Sequence, residues 1–243
     1  MTDTSFWTKL NPKVERERTR KAYFGKYYCK LVVNCPGGKL IDTEYDDMYY
    51  ALRERVQNQR GYNYGGSWWH AEKAAELAKA DVRQLSLLKE IKQKTDNIKV
   101  RVEEPWVQIY TENEDELKLV AVRFPDELKH TIQSVHIPAD EQDLERLKVG
   151  KILLPANSKI AHKYKIVLKD GTYQSIVKQQ VLSYLESLGE EIRMSKGSKA
   201  MLERPFNYLW GVYFYINDLK IITFLNLIAP DIVSRIHEME KVE

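Results

Sequence analysis

Residues 102–122 read VEEPWVQIYTENEDELKLVAV, and residues 202–225 read LERPFNYLWGVYFYINDLKIITFL. Both begin with an apolar residue, a glutamate and a proline-aromatic pair. Both continue through an alternating apolar run, a polar step rich in Asn and Asp, the dipeptide LK and a second apolar run. A Pro-Asp pair follows each, in FPDELKHTIQSVHIP and IAPDIVSRIHEMEKV. Upstream, YYCKLVV at 27–33 answers KYKIVLKDG at 163–171. Landmarks that recur in one order are the mark of internal repetition.

Each half then reads strand, helix, hairpin, helix. KYKIVL alternates and is rich in branched residues, which predicts a strand. In TYQSIVKQQVLSYLESLGE, Ile176, Val177, Val181, Leu182, Leu185 and Leu188 share a helical face, and Gly189 suits the stop. WGVYFYI and LKIITFLNLI are expected to pair as a hairpin, with Asn217 and Asp218 taking the turn. Pro230 is expected to open a last helix. The pattern predicts an α+β protein of tandem duplicated ferredoxin-like (β-α-β-β-α) units, the first with a helical insertion. VHIP at 135–138 and MEKVE at the C-terminus are candidates for closing strands. The expected layout is a basic N-terminal arm over 1–26 and a first unit over 27–138 with its insertion at 43–97. A linker over 139–162 and a second unit over 163–243 complete it.

The chain has 243 residues and is 43% hydrophobic and 30% charged, enough apolar material for a folded core. Its N-terminal residues lack the apolar core of a secretory signal, and no apolar run approaches the length of a membrane span. A cytoplasmic protein without membrane contact is expected, the interior of an infected host cell included. The net charge of +3 conceals alternating blocks. The N-terminal arm and residues 53–101 and 146–220 are net basic, and 103–145 is net acidic. Basic patches favour polyanions, of which nucleic acid is the commonest.

The insertion contains RGYNYGGSWWH at 60–70. Its glycines oppose regular structure, and Ser67 suits a helix N-cap before Trp68. Tyr62, Tyr64, Trp68 and Trp69 offer stacking surfaces, while Arg53, Arg55 and Arg60 offer phosphate contacts. A second basic stretch, RMSKGSKAMLERPF at 193–206, sets Arg193, Lys196, Lys199 and Arg204 around Gly197, as a phosphate-cradling loop would. In the arm, Arg16, Arg18, Arg20 and Lys21 suit either a charge-paired helix or a phosphate contact. Glu112, Glu114, Asp115 and Glu116 crowd the expected first hairpin turn.

Catalytic patterns are weak. His70, His130, His136, His162 and His237 are dispersed, and Cys29 and Cys35 cannot alone complete a zinc site. No metal or other cofactor is expected. The reading that gathers most of these features is a non-catalytic nucleic-acid-binding protein, with RNA or single-stranded DNA as partner. Two alternatives stand beside it. One is a protein-interaction, assembly or inhibitor component whose aromatic loop docks a protein partner. The other is a metal-independent ribonuclease using His70 with Tyr62 or Tyr64.

Overall fold

The computed structural model describes residues 4–42, 82–95, 97–103 and 105–242. The greater part of the expected insertion, including RGYNYGGSWWH, lies outside the described residues. The fold is α+β, with two five-stranded mixed sheets and helices. The chain divides into two compact units, Met1–Leu144 and Glu145–Glu243.

The first unit runs α1 (Thr4–Leu10), β1 (Glu15–Arg18), β2 (Cys29–Asn34), α2 (Val82–Lys94), β3 (Lys99–Glu103), β4 (Trp106–Thr111), α3 (Glu114–Ala121) and β5 (Ile132–Ile137). Its sheet has the order β1-β5-β2-β4-β3. Edge strand β1 is parallel to β5, and the other neighbours are antiparallel. Side chains alternate between faces along a strand. Leu31, Val33, Val107, Ile109 and Val135 therefore share one face, buried with Leu85, Leu88 and Ile91 of α2 and Leu117 and Val120 of α3. Lys30, Gln108, Tyr110 and His136 fall on the opposite face.

Helix α4 (Glu141–Lys148) crosses the boundary between the units. The second unit continues with β6 (Ile152–Pro155), β7 (Tyr164–Leu168), β8 (Gly171–Thr172), α5 (Ser175–Ser187), β9 (Ile192–Met194), α6 (Lys196–Glu203), β10 (Tyr208–Leu209), β11 (Tyr213–Ile216), α7 (Lys220–Ile228) and β12 (Val233–Val242). Its large sheet has the order β6-β12-β7-β11-β9. Here too the edge strand is parallel to the last strand, while the other pairs are antiparallel. Ile166, Leu168, Phe214 and Ile216 form its core with Val181 and Leu185 of α5 and Ile221, Ile222 and Leu225 of α7.

Several expectations are corrected. The expected hairpins are strand-to-helix junctions. After β4, Asn113 caps α3 by accepting the backbone N–H of Glu116 at 2.9 Å. Glu114, Asp115 and Glu116 occupy the first helical turn, where the helix dipole favours negative charge. In the second unit, Asp218 accepts the N–H of Lys220 at 2.8 Å as α7 begins. The run IITFL is helical because Ile221, Ile222 and Leu225 share one face. The antiparallel neighbours are instead β3 with β4, around VEEPW, and β9 with β11, separated in sequence by α6 and β10. The segment after Pro230 is strand β12, entered through Asp231 at φ +58°. Pro125 leads into a 3-10 turn, Asp126–Thr131, and then β5. The stretch read as a linker supplies α4 and edge strand β6, and the stretch read as an arm supplies α1 and β1.

Arg18 of β1 is not a spare phosphate contact. Its Nε donates to Asp143 Oδ2 at 2.5 Å and its Nη2 to Oδ1 at 2.8 Å. The Asp143 side chain is wholly buried, so this pair ties the edge strand to α4. Breaking a buried ion pair strands its remaining charge. Arg18→Ala, which leaves the buried Asp143 carboxylate without its cation, should lower the unfolding free energy by about 3–5 kcal/mol in urea titration. Exposed Arg16→Ala on the same strand should cost less than about 0.5 kcal/mol.

Candidate nucleic-acid interface

Of the residues singled out from the sequence, Arg53, Arg55, Arg60, Tyr62, Tyr64, Trp68 and Trp69 lie outside the described residues, as does His70. The second basic group falls in the second unit. Arg193 is on β9, and its Nη1 donates to the Lys159 carbonyl at 2.8 Å. Lys196 is the exposed first residue of α6. Lys199, one turn further, sits 2.5 Å from Glu186 and 3.9 Å from Glu203, and the Glu186 contact raises its pKa. Arg204 caps the C-terminus of α6.

The expected loop around Gly197 is thus strand β9 followed by a capped helix. Ser195 accepts the N–H of Ser198 at 3.0 Å, satisfying one of the amide donors that a phosphate cradle would need. The four basic residues remain in one stretch of chain, with Lys199 ion-paired to Glu186.

The structure adds a feature that the sequence reading missed. In RPFNYLWG, Phe206, Tyr208 and Trp210 are 70%, 52% and 45% exposed, while Leu209 between the last two is buried. Tyr208 and Trp210 hold their rings 6.0 Å apart with a 34° tilt. The Arg204 guanidinium lies 5.8 Å from the Trp210 ring. A cation and three aromatic rings therefore recur at every second residue, the period of an extended chain. The signal was present in the sequence, since alternation over 204–210 sets large rings against a polar Asn207 and a lone Leu209.

This ridge is firmly held. Its strand β10 pairs with β8, and the Tyr173 N–H donates to the Asn207 carbonyl at 2.7 Å. Asp170 accepts the N–H of Gly211 at 2.8 Å, and Gly211 turns the chain at φ +65°. Below lies Lys178 of α5, only 1% exposed. Its ammonium donates to the carbonyls of Arg204, at 2.5 Å, and Phe206, at 2.8 Å. Burial lowers its pKa, because an ammonium loses hydration there. Its two carbonyl partners compensate and fix the backbone beneath the first ring.

Exposed aromatic rings joined to a guanidinium suit flat, anionic ligands. Each ring offers a π-face, and a guanidinium stacks and binds phosphate at once. No protein-family model matches the chain, and no curated protein matches it.

Lys178→Met keeps most of the side-chain volume but leaves two backbone carbonyls without their donor. It should cost about 1–3 kcal/mol of stability. Acrylamide quenching should show Trp210 more accessible in the folded variant than in the wild-type chain.

Proposed function

We propose that the chain is a non-catalytic nucleic-acid-binding protein of the cytoplasm, built from two duplicated ferredoxin-like units and taking RNA or single-stranded DNA. The observation that carries this reading is the ridge of Arg204, Phe206, Tyr208 and Trp210. Bases of an unpaired strand stack on such rings, whereas a duplex keeps its base faces inside the helix. Arg193, Lys196 and Arg204 contact the sugar-phosphate backbone. The duplicated architecture is supported by the matching strand orders and by the repeated landmarks, which fall on β2 and β7, β4 and β11, and α3 and α7.

A protein-interaction role is the second reading. It is favoured by α7, which leaves Phe224 and Leu227 exposed one turn apart, and by exposed Ile176 on α5.

Fluorescence anisotropy with short labelled single-stranded RNA, single-stranded DNA and duplex DNA separates the two. The first reading expects single strands to bind more tightly than duplex, with affinity falling as salt rises. Trp210→Ala should weaken single-strand binding by about tenfold, given about 1–3 kcal/mol per stacked base. Lys196→Ala should flatten the salt dependence by about one ion. Absence of single-strand binding at low salt would leave the protein-interaction reading.

A further inference from the structure

On the face of each large sheet turned away from its helices, four residues stand side by side as cross-strand partners. In the first unit they are Lys99, Tyr110, Lys30 and His136, on β3, β4, β2 and β5. In the second they are Arg193, Tyr215, Lys165 and His237, on β9, β11, β7 and β12. Both rows read cation, tyrosine, lysine, histidine, on equivalent strands in the same spatial order. Neither hydrophobic core requires these side chains, which lie opposite it.

The first row already grips aromatic rings. The loop between β1 and β2 lays Phe24 on Tyr110, edge to face, with centroids 5.1 Å apart. Lys99 Nζ lies 4.1 Å from the Phe24 centroid, and Lys30 Nζ lies 5.2 Å from that of Tyr23. Tyr23 also packs on Tyr110 at 5.2 Å. The loop is closed by mutual backbone hydrogen bonds between Tyr23 and Tyr27, at 2.7 and 3.0 Å. Phe24 takes φ +54° to do this, a conformation that a bulky residue adopts only at a cost. At the end of the row, burial and then the Lys30 charge hold the His136 pKa down to about 4, against the pull of Glu17, so its ring is neutral near pH 7.

In the second row the ring neighbour of Tyr215 is Tyr213, 5.7 Å away on the same strand and half-buried like it. Lys165 Nζ lies 4.0 Å from the Tyr213 centroid. Tyr215 on a central strand therefore lies between cations on the strands at either side, Arg193 on β9 and Lys165 on β7. Adjacent strands are about 4.8 Å apart, so the cations flank the ring within reach of an aromatic ligand that carries its own anion. A nucleotide is such a ligand, and four-stranded sheets stack two or three bases on central-strand aromatics in this manner.

We propose that the second row is a nucleotide-binding site for a single strand, and that Phe24 and Tyr23 fill the equivalent place in the first. A base stacks on Tyr215, phosphates meet Arg193 and Lys165, Tyr213 supports Lys165 from the same strand, and His237 borders the site. The proposal rests on the nucleic-acid reading but not on the aromatic ridge.

The test is anisotropy of the full chain with labelled oligouridylate and oligodeoxythymidylate at low salt. Tyr215→Ala should weaken binding by about tenfold, while Tyr215→Phe, which keeps the ring, should stay near wild type. Lys165→Ala should reduce the salt slope by about one ion. The double variant Tyr23→Ala/Phe24→Gly suits the positive φ and removes both rings that fill the first row, and should raise the number of strands bound. Thermal melting of each variant separates loss of the site from loss of the fold. If Trp210→Ala weakens binding and folded Tyr215→Ala does not, the ridge stands and the row is wrong. If the folded double variant Tyr23→Ala/Phe24→Gly adds no binding, the equivalence of the two rows is wrong. If the wild-type chain binds neither strand, the row and the nucleic-acid reading fall together.

Discussion

A slip of one residue between β7 and β11 would bury Lys165 and expose Ile166. The penalty is large on both counts, because an unpaired ammonium would enter the core as an apolar side chain left it. The hydrophobic face therefore fixes the register, and the register fixes what the other face presents. Ile166 and Phe214 face the helices, so Lys165, Tyr213 and Tyr215 must face away. The same constraint acts in the first unit, where Leu31 and Ile109 anchor the register that lines up Lys30 with Tyr110.

The ridge over 204–210 is set by polar contacts together with the burial of Leu209 in the core. Lys178 is the unusual element, since a buried ammonium loses hydration worth several kcal/mol unless other groups replace the water. The carbonyls of Arg204 and Phe206 do so, and would themselves be left unsatisfied without it. An apolar residue at 178 would improve the transfer term but release the chain beneath the rings. Rings held in place before a ligand arrives lose less conformational freedom on binding, so the same contacts yield more affinity.

The sequence reading found the strands of strict alternation and helix α5, whose apolar spacing and terminal Gly189 agree with the structure. It failed where branched residues formed a helix. IITFLNLI has high strand propensity, yet Ile221, Ile222 and Leu225 bury against β7 and β11, and tertiary packing overrides propensity there. The acidic run at 112–116 was read as a turn because charge density hides a helix start, although Asn113 followed by Glu116 is a capping pattern. At the site, Arg193, Lys196, Lys199 and Arg204 were legible as a basic stretch. Their aromatic companions carry a signal in the alternation over 204–210, but it reads as core material until Leu209 is seen to take the buried position. The cross-strand rows could not be read from one dimension at all, since Lys30, Tyr110 and His136 meet only through sheet pairing.

At φ +54° glycine would be less strained than phenylalanine, and the Phe24 ring offsets part of that cost. It does so through Tyr110 and Lys99, contacts of the kind that contribute about 0.5–2 kcal/mol each. The loop belongs to the same chain, so its rings meet Tyr110 at a high effective concentration. A row able to hold Phe24 this way has affinity for aromatic rings beside cations. The second row presents the same residue types in the same order, with Tyr213 as the neighbour of its central ring. That chemistry stands in both units on a sheet face that the core does not need, filled by the chain's own rings in the first and, among the described residues, not by them in the second.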